Sequence, residues 1–138
     1  MSNSLSSQET AVSHLPTPTV LIIDDQKTVR EAIADILELK NIATLLASSG
    51  LEGVDLYSQR ETAIHLIVLD LSMPGMNGKE TFQRLREITP NLAVLFTSGY
   101  DKMSLTHDLP IGENIDFLQK PFQFNDLVNK VEALLARV

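Results

Sequence analysis

Two hydrophobic periods alternate along this chain from about residue 19 to its end. Short runs that are apolar almost throughout lie near 19–24, 42–47, 65–70, 92–97 and 115–119. Between them, apolar positions recur at helical spacing: Val29, Ile33, Ile36 and Leu37, then Leu51 and Val54, then Phe82 and Leu85, then Leu127, Val131, Leu134 and Leu135. A strand that is apolar on both of its alternating sets is buried on both faces, which implies a parallel central sheet. Five β–α units in one small domain predict a doubly wound α/β architecture, a three-layer sandwich. The pattern weakens over Asp101–Asn114, where Pro110 and Gly112 predict a short helix followed by a loop, with local mobility. Residues 1–17 are Ser-rich and without periodicity, and read as a disordered tail or linker before a domain spanning 18–138.

The polar residues that close these runs carry the chemistry. TVLII is followed by Asp24-Asp25, HLIVL by Asp70, LAVLFT by Ser98 and IDFLQ by Lys120. In a parallel α/β sheet the C-terminal strand ends share one edge, where such folds bind ligands. Three carboxylates, a hydroxyl and an ammonium therefore converge on one pocket suited to a divalent cation and a phosphoryl group. An Asp at a strand end also serves as a helix cap, but capping accounts for one acid, and two together are costly without a positive partner. Near a bound cation, an Asp can attack phosphorus and form an acyl phosphate. Gly99 leaves room for a phosphate to approach. Alternation sends Thr97 and Ser98 to opposite faces, so only one of them reaches the pocket. The Lys120–Pro121 bond is a candidate cis peptide. Gly78 follows a turn-rich stretch and is placed to start a helix.

Composition narrows the choice. There is no cysteine among 138 residues, which excludes a disulfide framework and any Cys-based zinc site. His14, His65 and His107 show no ligand spacing. A metal would be held by oxygen, which favours Mg²⁺, Mn²⁺ or Ca²⁺. The formal net charge of −7 argues against nucleic acid as a direct partner. No apolar run has the length of a membrane span, and no basic residue precedes Lys27, so the chain lacks a secretory signal pattern and is expected in the cytoplasm.

The motifs LIIDD, LIVLDLSMPGMNG, VLFTSGYD and FLQKPF, in this order, resemble the receiver domain of two-component response regulators over residues 19–138. The stretch from SGYD to FLQKPF resembles most closely receivers fused to hybrid sensor histidine kinases. The resemblance implies a flavodoxin-like (βα)5 fold with strand order 2-1-3-4-5, an order the chemotaxis regulator exemplifies. It implies Asp70 as phosphoacceptor, and Mg²⁺ (Mn²⁺ as substitute) bound by Asp25, Asp70 and the backbone carbonyl of Ser72, with Asp24 acting through water. Ser98 is then the switch hydroxyl and Phe117 the switch aromatic that turns inward with it, although Phe117 reads equally as a core strand residue. Lys120 pairs with Asp70 and later with the phosphoryl group. Met73 and Pro74 match the turn after the phosphoacceptor, with Gly99, Pro121 and Gly78 in support. The implied partners are a histidine kinase or histidine phosphotransfer domain, meeting the exposed face of the first helix (Lys27–Lys40), and a downstream protein target. Such a module catalyses only its own phosphorylation and dephosphorylation. Ser72 and Tyr100 depart from the usual pattern at positions that the resemblance implies could line the route of the attacking water, which predicts an altered autodephosphorylation rate.

Three rivals remain. A receiver-like binding module that signals without phosphorylation has no need of the full set of site residues. An Asp-dependent phosphatase carries a second Asp two positions after the nucleophile, where this chain has Ser72. A flavin carrier wants a phosphate-cradling loop after the first strand, where Asp24-Asp25 repels anions.

Overall fold

A computed structural model describes residues 17–73, 75, 77–99 and 114–137. The strands are β1 (Thr19–Ile23), β2 (Ala43–Ala47), β3 (Leu66–Asp70), β4 (Val94–Ser98) and β5 (Ile115–Gln119). The helices among the described residues are α1 (Lys27–Glu38), α2 (Gly50–Arg60), α3 (Gly78–Ile88) and α4 (Phe124–Leu135). Residues 1–16 of the tail expected at 1–17, Pro74, Tyr100 and the segment 101–113 lie outside the described residues.

All four strand pairings are parallel, in the order β2-β1-β3-β4-β5. This is the doubly wound arrangement expected from the sequence pattern, in the flavodoxin-like order that the resemblance implies. β3 and β4 are buried at every position, as their unbroken apolar runs require. β2 lies at an open edge and is only partly covered. Alternation splits the strand residues into two cores. Leu21, Ile23, Leu69, Phe96 and Phe117 pack with Tyr57 of α2 and with Phe82 and Leu85 of α3. Val20, Ile22, Val68, Leu95 and Leu118 pack with Ile33 and Leu37 of α1 and with Leu127 and Val131 of α4.

After β2 the chain crosses β1 to enter β3, so the winding direction reverses between β1 and β3. Such a reversal leaves a crevice at the carboxyl strand ends. Ile23 and Leu69 are register partners there, which sets the residues that follow them side by side. Gly78 begins α3 and is required for close approach: a Cβ on it would stand 2.5 Å from Leu71 Cα and 2.6 Å from the Asp70 carbonyl oxygen. Asn77 caps this helix, its side chain accepting from the Glu80 N–H at 2.9 Å.

Candidate functional site

Neither acid after β1 caps a helix. The N-cap of α1 is Gln26, with no side-chain cap bond, and Asp24 instead forms a turn in which Oδ1 accepts from the Gln26 N–H at 2.9 Å. The Asp24 amide donates to the Ala47 carbonyl at the end of β2, and Arg30 of α1 donates from Nη1 to the Asp24 carbonyl at 2.8 Å. These main-chain bonds tie the loop to β2 and α1.

Asp70 ends β3 and is 3% exposed. Its Oδ1 accepts from the Ser72 N–H at 3.0 Å, and its Oδ2 lies 3.5 Å from the Lys120 ammonium. That ammonium hydrogen-bonds Asp24 Oδ2 at 2.8 Å. Lys120 therefore bridges both buried acids, and its backbone N–H donates to the Ser98 carbonyl at 2.7 Å. The Lys120–Pro121 peptide is cis. Carboxylate oxygens of Asp24, Asp25 and Asp70 lie within 4.8 Å of one another, with Asp25 exposed to solvent. Burial pushes the Asp70 carboxyl above the usual carboxylate range, and the Asp24 and Asp25 charges add to the rise. The Ser72 amide and Lys120 oppose it without cancelling it.

The acids open into a cleft of about 390 Å³ lined by Asp25, Gln26, Asp70, Ser72, Gly99 and Lys120. Among the described residues nothing lies within 4 Å of where a Cβ on Gly99 would stand. Ser98 is fully buried and is not among the lining residues; its Oγ lies 3.3 Å from that of Ser72, which stands on the cleft wall. Thr97 is also fully buried, is the register partner of Asp70, and its hydroxyl has no hydrogen-bond partner among the described residues. Met73 is buried against the α2–α3 side of the core. Phe117 lies on the edge strand β5, 5% exposed and packed in that same core. The Arg30 bond to the Asp24 carbonyl had no signal in the sequence, because a main-chain acceptor has no residue signature.

An all-oxygen cluster in which two carboxylates are buried and a single ammonium is bonded to them fits a hard divalent cation. The response regulator receiver domain model matches residues 20–132, and the chain belongs to this family. Receivers are signalling modules that accept phosphoryl groups and bind Mg²⁺ at an acidic cluster, and they meet kinases and downstream effectors. The chain is 29% identical over 119 residues to the sensor kinase CckA of Brucella abortus, covering 86% of this chain and 13% of that protein. It is 34% identical over 120 residues to the response regulator MprA of Mycolicibacterium vanbaalenii, covering 86% and 50%. The chain thus spans at most half the length of these curated relatives. Among solved structures, a receiver domain protein from Clostridium thermocellum matches with a TM-score of 0.79 at 27% identity, over 87% of this chain and 95% of that one. The receiver domain of the hybrid histidine kinase CckA matches at 0.72 and 26%, over 85% and 98%. A hybrid kinase receiver and response regulators are both among its relatives.

Proposed function

We propose that this domain, residues 18–138, accepts a phosphoryl group on Asp70 from the phosphohistidine of a histidine kinase or histidine phosphotransfer domain. The observation that carries the reading is the asymmetric binding of Asp70. The Ser72 amide holds Oδ1, while Oδ2 faces the Lys120 ammonium beside an open cleft. Oδ2 is then the attacking atom: an O–P bond forms as the N–P bond of the donor breaks, and the electron pair returns to the imidazole. Lys120 neutralises charge on the transferred group, and Gly99 leaves it room. Asp24, Asp25, Asp70 and the Ser72 carbonyl would hold Mg²⁺, with Mn²⁺ as a substitute. The ion would screen the repulsion between carboxylate and phosphate.

Beside the cleft, a groove of about 430 Å³ runs between α1 and the residues after β5, lined by Val29, Ala32, Ile33, Pro121 and Phe122 and touching Lys120. An apolar face beside a phosphoryl site suits a helix of the phosphodonor. Movement of Ser98 and Phe117 would then pass the state on to a protein target as a population shift. No helix among the described residues is long and apolar enough to cross a membrane. Cytoplasmic placement and a protein partner rather than nucleic acid accord with this and with the charge of −7. The alternative, a binding module independent of phosphorylation, leaves the cluster of three acids and a lysine without a task.

Intact mass after incubation with a small acyl phosphate, with and without Mg²⁺, tests the reading. One added phosphoryl group that needs Mg²⁺ and is absent from Asp70→Asn is expected. No gain despite demonstrated Mg²⁺ binding, with short adduct lifetime excluded, favours the phosphorylation-independent module.

A further inference from the structure

The Ser72 side chain has no part in phosphoryl transfer as described, which uses only that residue's amide and carbonyl. Yet its hydroxyl stands between the cleft and Ser98. Ser72 is exposed and lines the cleft, whereas Ser98 is wholly buried, and the two Oγ atoms are 3.3 Å apart. The Ser72 amide also holds Asp70 Oδ1 at 3.0 Å. One residue thus touches both the acceptor carboxylate and the switch hydroxyl, through different atoms.

We infer that Ser72 is a positioning residue for the switch: its hydroxyl retains the Ser98 hydroxyl behind the cleft wall in the unphosphorylated protein, and Ser98 reaches a phosphoryl oxygen only by giving up that bond. The inference rests on the phosphoacceptor reading. A bond between neutral hydroxyls is weaker than one to an anionic oxygen, and 3.3 Å is long for an O–H···O pair. The exchange is therefore favourable, but reduced by whatever the resting bond contributes. Removing the Ser72 hydroxyl removes that contribution from the resting state alone and shifts the population towards the switched state. For a bond of ordinary net strength the shift is roughly three- to tenfold.

The test is the affinity for beryllofluoride, a tetrahedral phosphoryl mimic, at saturating Mg²⁺ on the full chain. Ser72→Ala is expected to bind it roughly three- to tenfold more tightly than wild type, and Ser72→Thr, which keeps a hydroxyl, to stay near wild type. In a Ser98→Ala background, Ser72→Ala should change the affinity by less than about twofold, since the pair no longer exists. Weaker or unchanged binding by Ser72→Ala overturns the inference, as does the same tightening without the Ser98 hydroxyl. Wild-type protein that takes up neither beryllofluoride nor a phosphoryl group overturns the phosphoacceptor reading and this one with it. Wild-type binding with indifferent Ser72 variants overturns this one alone.

Discussion

Lys120 is bonded to Asp24 more closely than to Asp70: its ammonium is 2.8 Å from Asp24 Oδ2 and 3.5 Å from Asp70 Oδ2. The partner expected from the motif was Asp70. The shorter bond to Asp24 anchors the lysine on an acid other than the proposed phosphoacceptor. The ammonium can then turn towards a group on Asp70 without leaving its anchor.

This anchoring makes Lys120 a competitor of any cation in the cluster. Lys120→Met should tighten Mg²⁺ binding roughly fivefold at low salt, the factor expected from removing about 1 kcal/mol of charge repulsion at a partly exposed site. The same substitution leaves two buried carboxylates unbalanced, so stability in metal-free buffer should fall by about 3 kcal/mol. Calorimetric Mg²⁺ titration and urea unfolding with and without Mg²⁺ check both. Unaltered Mg²⁺ affinity would place the cation away from Lys120.

Asp70 should cost stability at neutral pH. Its carboxyl is held above the ordinary carboxylate range, so the folded protein binds this proton more tightly than the unfolded chain does. The stabilising contribution is complete below the unfolded value, near about pH 3.9, and is lost as pH rises through the higher folded value. Asp70→Asn should therefore melt above wild type at pH 7 in chelator, and the gap should close on acidification. Added Mg²⁺ should narrow it as well. Thermal melts across that pH range decide it, and a variant that melts below wild type at pH 7 would contradict the direction.

Thr97 carries a fully buried hydroxyl with no hydrogen-bond partner among the described residues. Thr97→Val keeps the shape and removes the orphaned group, so it should raise stability by about 1 kcal/mol. Urea unfolding measures this directly, and a loss of stability would reveal a water or a side chain satisfying the hydroxyl in solution.

The two glycines beside the site should separate. At Gly78 a methyl group meets main-chain atoms of Asp70 and Leu71, so Gly78→Ala should cost about 2 to 3 kcal/mol and displace Asp70. At Gly99 a methyl group meets nothing within 4 Å among the described residues, so Gly99→Ala should leave the melting temperature in place while slowing phosphoryl uptake. Melting curves together with the rate of mass gain distinguish the two.

The strand runs, the helical spacings and the acids at the strand ends were all legible in the sequence, because each depends on short-range periodicity. The apolar run of β3 read as a strand buried on both faces, and it is one. The convergence of Asp24, Asp25, Asp70 and Lys120 followed from parallel strands sharing one edge. Which atoms then bond was decided only by the tertiary structure. Asp24 rather than Asp70 takes the shorter lysine bond, Ser98 lies behind Ser72, and Arg30 secures the Asp24 carbonyl. Alternation sorted Thr97 from Ser98 but did not show that both would be buried. Spacing along a chain determines which face a residue takes. Pairing within a site depends on differences of an ångström between strands brought together from opposite ends of the sequence, and no local pattern encodes these.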